Sequence, residues 1–284
     1  MSKYFYLIIS LVILCSCNEY QKVLKASGEG ATGNKYTMAD SLYTAGKYAK
    51  ANRLFSQIVP EYRGKPQAQK LMFLYADTYY KMKDYYISSY RFEQFTTAYP
   101  DSEKLEEAAF LAAKSYYMLS PVFSKDQTET KEAIEKLQEF INLFPDSEYL
   151  AEANKMVKEL DYKLEKKAFS IAKQYSDIAP GFTLDYTAAI RSFDNFLYDF
   201  PGSSLREDAL FYRLDAVYKQ AMNSIEYKNT RVEGFVHLRK ERLDNAKEYS
   251  SSFIKIYPES KYIEQVNLMG KAVDEELKNY SIKS

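Results

Sequence analysis

Residues able to do covalent or acid–base chemistry are few in this chain of 284 residues. There is one histidine, His237, within Val236-His237-Leu238-Arg239-Lys240, and there are two cysteines, Cys15 and Cys17. That inventory cannot supply the four ligands of an ordinary zinc cluster. The acidic pairs Glu106-Glu107 and Glu275-Glu276 are adjacent in sequence, so on a helix they point in different directions. They read as solvated faces rather than as an acid/base dyad. Gly28-Glu29-Gly30-Ala31-Thr32-Gly33 spells G-x-G-x-x-G, but a dinucleotide site needs a strand before that motif, and a short polar stretch precedes it here. No G-x-S-x-G or phosphate-loop pattern occurs. Neither catalytic, metal-binding nor cofactor-binding residues are expected, and the chain is not expected to be an enzyme. With 39 basic and 39 acidic residues and no basic stripe, nucleic acid is not a favoured partner.

The two cysteines do have a context. Lys3 is followed by the apolar run Tyr4–Leu14, too short for a permanent membrane span, and then by Leu14-Cys15-Ser16-Cys17. A leucine three before Cys17 and a small serine immediately before it resemble the lipobox of bacterial lipoproteins. Bulky Leu14 makes Cys15 the poorer acceptor. Residues 1–16 are therefore expected to be a signal peptide, and Cys17 the lipidated N-terminus of the mature chain, carrying acyl chains such as palmitate. Several acyl chains anchor stably where one binds only reversibly. Processing removes Cys15, so neither a disulfide nor a thiolate nucleophile remains. Asn18 follows the cysteine, which by the common sorting rule permits transport to the outer membrane. Residues 17–34 read as a lipidated flexible tether.

The elements that carry the rest are organised around a four-residue stop-and-start. Tyr99-Pro100-Asp101-Ser102, Phe144-Pro145-Asp146-Ser147, Phe200-Pro201-Gly202-Ser203 and Tyr257-Pro258-Glu259-Ser260 share one form. Proline lacks an N–H and disfavours helix in the residue before it, so each preceding helix ends at the aromatic. The serine is expected to cap the next helix. Glu103 and Glu106, Glu148 and Glu152, and Glu207 and Asp208 are expected in the new first turns, at the positive end of the helix dipole. Before each stop, and again before Tyr62, apolar residues recur at helical spacing with a small residue at one place: Ala51, Ser88, Ala133, Ala189 and Ala246. Pro60 should end the first copy early. This pattern resembles the second helix of the tetratricopeptide repeat.

The first helices of the pairs align as well. Tyr36, Phe73 and Phe110 are 37 residues apart, as are Tyr43, Tyr80 and Tyr117; Asp40, Asp77 and Lys114 share that register. After the Ser147 and Ser203 starts the equivalents of Phe110 are Lys155 and Phe211, and those of Tyr117 are Tyr162 and Tyr218. In a tetratricopeptide array this register faces the groove, and Tyr36, Tyr43, Phe73, Asp77, Tyr80, Phe110 and Tyr117 are the candidate client-binding groove. The alternative is that these side chains pack against the neighbouring helix. Scarce glycine and proline (9 and 8) and the absence of separable β-branched runs fit an all-α chain. The expected fold is a tetratricopeptide-repeat superhelix of about five helix pairs plus a C-terminal capping helix. Pairs are expected at 35–63, 66–99, 102–144 (interrupted by Ser120–Gln127), 147–200 (a long first helix from Glu148 to about Ser176, then a break at Pro180-Gly181) and 203–257 (with an insertion near Met222–Glu233). The cap spans 260–279, with Ile263, Val266, Met269 or Gly270, and Val273 as its apolar stripe. By role, 35–146 holds the N-terminal repeats and client groove, and 147–284 the C-terminal repeats, cap and partner docking.

Taken together, the chain resembles the BamD family, tetratricopeptide lipoproteins of the outer-membrane β-barrel assembly machine. The most specific stretch runs from Phe144-Pro145-Asp146-Ser147-Glu148-Tyr149 through Glu152, Ala153, Lys155, Leu164, Lys167 and Tyr175 to Tyr198-Asp199-Phe200-Pro201 and Asp208-Ala209-Leu210. Ala45-Gly46-Lys47-Tyr48-Ala49-Lys50-Ala51 matches the family's first repeat. Ile178–Tyr186 and the Met222–Glu241 insertion depart from it. The resemblance implies a scaffold lipid-anchored to the outer membrane on its periplasmic face. It would bind a BamA-like barrel protein through its C-terminal half and unfolded outer-membrane protein clients through its N-terminal groove. The alternative is another periplasmic tetratricopeptide lipoprotein scaffold, coordinating cell-wall synthesis or acting as a secretin or pilus pilotin.

Overall fold

The computed structural model describes residues 19–181, 186–224 and 234–283, with side chains described for all of these but 234–237 and 280–283. Cys17, the expected signal segment and the side chain of His237 lie outside them, as does most of the insertion after Met222. The described residues are all-α, in helix pairs. The helices are α1 (Ala31–Thr44), α2 (Tyr48–Ile58), α3 (Ala68–Lys81), α4 (Tyr85–Ala98), α5 (Leu105–Leu119), α6 (Thr128–Leu143), α7 (Leu150–Ile178), α8 (Thr187–Asp199), α9 (Arg206–Met222), α10 (Gly234–Ile256) and α11 (Ile263–Lys283). The chain divides into two compact units, Met1–Leu160 and Asp161–Ser284.

In unit one, α1/α2, α3/α4 and α5/α6 are the pairs. Pro60 acts as expected: α2 stops at Ile58, and a 3-10 turn, Val59–Tyr62, follows with the proline in its first positions. The turn inside the first pair needs a left-handed residue, supplied by Gly46 (φ 71°); the equivalent in the second pair is Lys83 (φ 63°), the only described non-glycine residue with positive φ. The core runs between helices. Ala51, Leu54, Phe55, Ile58 and Leu71 form one cluster, Phe92 and Phe95 with Ala76 and Ala108 a second, and Ala133, Leu137 and Phe140 with Ala153, Met156 and Leu160 a third. The loop between α5 and α6 is closed by buried Gln127, whose amide donates to the carbonyls of Val122, Lys125 and Asp126.

In unit two, Phe169 and Ala172 of α7 pack with Phe193 and Phe196 of α8. Next, α9 packs on α10, and α10 on α11. The cap's apolar stripe holds: Val266 and Val273 are fully buried, and Gly270 lies against Ser250. The five small residues Ala51, Ser88, Ala133, Ala189 and Ala246 are all buried.

Three expectations are corrected. The serines do not cap the α-helices, which start three residues later at Leu105, Leu150, Arg206 and Ile263. Instead each serine closes a preceding turn. Its Oγ accepts the N–H two residues on at 3.0 Å, in Ser102, Ser147, Ser203 and Ser260 alike. Glu103 and Glu148 accordingly fall before their helices, while Glu106, Glu152, Glu207 and Asp208 do occupy first turns. The third correction concerns the tether. Residues 19–25 are helical, and Tyr20, only 7% exposed, joins the first core cluster, with Val23 and Leu24 beside it. Gly28 and Gly30 (φ 94° and 80°) turn the chain directly into α1, with no strand before them.

Candidate functional site

The candidate residues occupy one register of the first helices α1, α3 and α5, and each position has a different fate. The aromatic position is a wedge inside the repeat. Phe73, 9% exposed, meets Phe92 and Phe95 edge-on at 5.6 Å each. Phe110, 3% exposed, packs on Phe140 and stacks flat on Tyr149 at 4.5 Å. The packing alternative therefore holds for Phe73 and Phe110, which have no face free for a partner. Their remaining surface is covered by the residue two beyond the next serine: Lys104 over Phe73, Tyr149 over Phe110. Tyr36, half-buried, stacks on Tyr62 at 5.5 Å.

The charged position links neighbouring repeats. Asp40 pairs with Lys70 at 3.1 Å, and Tyr36 hydrogen-bonds the same ammonium. Asp77 is 4% exposed and accepts a 2.5 Å hydrogen bond from the Tyr43 hydroxyl. Burial raises the Asp77 pKa above the usual carboxylate value, with Tyr43 and Lys81 opposing; burial and the same carboxylate drive the Tyr43 hydroxyl upward. Asp77 is thus corrected from a groove residue to a buried link between α1 and α3. Lys114 bridges Tyr80 and Glu152, the latter at 2.7 Å. Burial alone would lower the Lys114 pKa; these two partners leave it raised instead.

The tyrosine position keeps ring surface available. Tyr43, Tyr80 and Tyr117 are half-buried. Tyr43 sits edge-on to Tyr48, and Tyr80 edge-on to Tyr85, both at 5.6 Å. Tyr117 donates to Glu159 at 2.5 Å, and this bond, then burial, pushes its pKa up to about 12. The arrangement is a strip of tyrosine rings whose hydroxyls are spoken for by the adjacent repeat and which are left partly exposed. It can offer aromatic contact beside fixed charges at low entropic cost, because each ring is already held. Among the described residues no group of three or more metal-ligating side chains lies together.

In unit two the fourth repeat is out of the expected register. Phe169, not Lys155, meets the second-helix phenylalanines there, as Phe73 does in the second repeat. Lys155 is exposed. Seven residues after Phe169 stands buried Ser176, so Tyr162 is not the fourth tyrosine of the strip and the series is broken there. A signal for this was present. An acid or amide stands four residues before each wedge: Gln69 before Phe73, Glu106 before Phe110, Glu165 before Phe169, Glu207 before Phe211. The structure explains the spacing, because this side chain meets the serine that opens the following repeat. Gln69 donates to Ser102, and Ser147, Ser203 and Ser260 donate to Glu106, Glu165 and Glu207 at 2.5, 2.6 and 2.6 Å. In the fifth repeat Phe211 stacks on Tyr262 at 3.8 Å, and Tyr218 borders the cluster of Val217, Ala221 and Leu243.

No helix among the described residues is long and apolar enough to cross a membrane. A search of the curated proteins finds no match. Residues 29–231 match the family model YfiO, described as outer membrane lipoprotein. That is more than half of the chain, and it spans the first four helix pairs and α9, the first helix of the fifth. The chain belongs to this family, the BamD family of its sequence resemblance.

Proposed function

We propose that the protein is an assembly scaffold for outer-membrane β-barrel proteins, held at the periplasmic face of the outer membrane by a lipid on Cys17 after removal of residues 1–16. The family match over the repeats carries the reading. In it, unfolded barrel chains lie on the strip of Tyr36, Tyr43, Tyr80 and Tyr117, where an extended strand would find ring edges for alternate side chains and charged groups beside them. Phe73, Phe110 and Asp77 support the strip from beneath. Residues 147–284 dock a BamA-like barrel through its periplasmic domains.

The test is affinity isolation of the protein from crosslinked membranes. Recovery of a BamA-like barrel, lost on deletion of residues 203–284, is the expected result. Recovery of cell-wall enzymes or a secretin with no such barrel overturns it. For the strip, Tyr80→Ala and Tyr117→Ala should weaken binding of an unfolded barrel peptide; lowered stability with unchanged binding would make these rings packing residues only.

A further inference from the structure

The short connection between Cys17 and the folded domain has a consequence for what the first helix pair touches. Tyr20 is fixed in the core, against the cluster of Ala51 and Leu54. Cys17 and Glu19 are two residues apart, a reach of about 7 Å. A lipid on Cys17 therefore holds this end of unit one within about one screening length of the headgroups, roughly 8 Å at physiological salt.

The surface at that end is basic, although the chain as a whole is neutral. Residues 19–53 contain six basic and three acidic side chains. Lys47, at the N-cap of α2, and Lys50 and Arg53 within α2, spaced three apart, gather around Tyr20. The Lys50 ammonium stands 5.2 Å from the ring centroid, Lys47 shares a surface cleft of about 630 Å³ with Tyr20 and Glu19, and the field of Arg53 reaches the Tyr20 hydroxyl. Lys22 and Lys25 are exposed on the 19–25 helix itself. Among the described residues none of these five cations forms an ion pair with a carboxylate, in contrast to Lys70, Lys104, Lys114 and Lys136 of the same unit.

We infer that Lys47, Lys50 and Arg53, with Lys22 and Lys25, form a docking surface for anionic phospholipid headgroups, which lays the Tyr20 end of the first helix pair flat on the bilayer that holds the lipid. This rests on the lipid anchor proposed above. A few cations beside an acyl anchor are the second signal that turns tethering into a fixed orientation. Each contributes about five-fold to the preference for an anionic over a neutral surface, and the contribution is screened by salt.

The acylated full-length protein, carrying Ser56→Cys labelled with a fluorophore one turn beyond Arg53, is reconstituted into vesicles bearing a headgroup-attached quencher. One set is pure phosphatidylcholine; the other contains phosphatidylglycerol as well. Quenching in the anionic vesicles only, relieved at 1 M salt and by Lys47→Gln/Lys50→Gln/Arg53→Gln, is the expected result. A vesicle-bound protein with the same quenching in both lipids, or with none in either, overturns the inference while leaving the anchor intact. A protein that fails to co-float with either vesicle removes the anchor reading, and this inference with it.

Discussion

Tyr43→Phe isolates one hydrogen bond while keeping the ring. The bond is 2.5 Å long and its acceptor, Asp77, is 4% exposed. A hydrogen bond to a charged group contributes about 1.5–3 kcal/mol, and leaving a buried acceptor unpaired costs a similar amount. The substitution should therefore destabilise unit one by about 2 kcal/mol at pH 7, roughly a 30-fold change in the folded-to-unfolded ratio. The sign of its pH dependence follows from Asp77. Burial raises the folded pKa above the unfolded one, so the native state binds this proton more tightly than the unfolded chain does. The stability contributed by Asp77 is thus complete below the ordinary carboxylate pKa and is lost as pH rises through the raised folded value. Tyr43 holds that value down; without it the window widens upward and the loss at neutral pH grows. Hydrogen exchange of the α1 and α3 amides, read at pH 4 and pH 7 in both proteins, measures the difference. Penalties equal at the two pH values, or a full penalty persisting in an Asp77→Asn background, would refute the account of the pair.

Phe110→Ala should cost about 3–5 kcal/mol in unit one, because it empties a site closed by Phe140 and Tyr149, and should show as early melting of α5 by far-UV circular dichroism. In unit two the register correction predicts that Phe169→Ala costs about 3–5 kcal/mol, whereas Lys155→Ala on exposed surface stays within about 0.5 kcal/mol; denaturant melts of the two variants decide between them. Asp208 is the reverse of Asp77. Burial alone would raise its pKa, but hydrogen bonds from Lys261 and Tyr262 hold it below the usual carboxylate value. Its stabilisation is present above the ordinary carboxylate pKa and lost as pH falls through the lowered value. Asp208→Asn should therefore destabilise at neutral pH and approach wild type in strong acid, as followed by protection of α11 amides.

Proline stops and small residues made most of the fold legible, because both act locally. Proline disfavours helix in the residue before it, and Tyr99, Phe144 and Phe200 leave the helix with nearly one backbone geometry, whereas Val59 before Pro60 keeps helical angles and leads into the 3-10 turn. Ala51, Ser88, Ala133, Ala189 and Ala246 mark where another helix comes close, a constraint written in side-chain volume. The candidate site was legible in register but not in depth. Tyr43 of α1 and Phe73 of α3 lie on corresponding faces of their helices, and period alone cannot tell that one ring is left partly exposed while the other is roofed by Lys104. The fourth repeat does not keep the register that runs from the serine start in the third and fifth. Here α7 runs 29 residues. Its first turns seal unit one through Ala153, Met156 and Leu160, and its later turns begin the next repeat at Glu165 and Phe169. The helix at 19–25 is hidden for another reason. Glu19–Lys25 holds four polar residues in seven, and Tyr20, with Val23 and Leu24 beside it, fastens it.

The roofing of each wedge by the following segment also sets an order of completion. Phe73 waits for Lys104, Phe110 for Tyr149 and Phe211 for Tyr262. A chain emerging from its N-terminus thus carries, from each of these phenylalanines until its lid arrives, one open aromatic face. The sticky end travels forward one repeat at a time and vanishes only when residues 260–262 join. Until then the newest edge of the array is a vacancy shaped for its own next segment, open to any aromatic stranger that reaches it first.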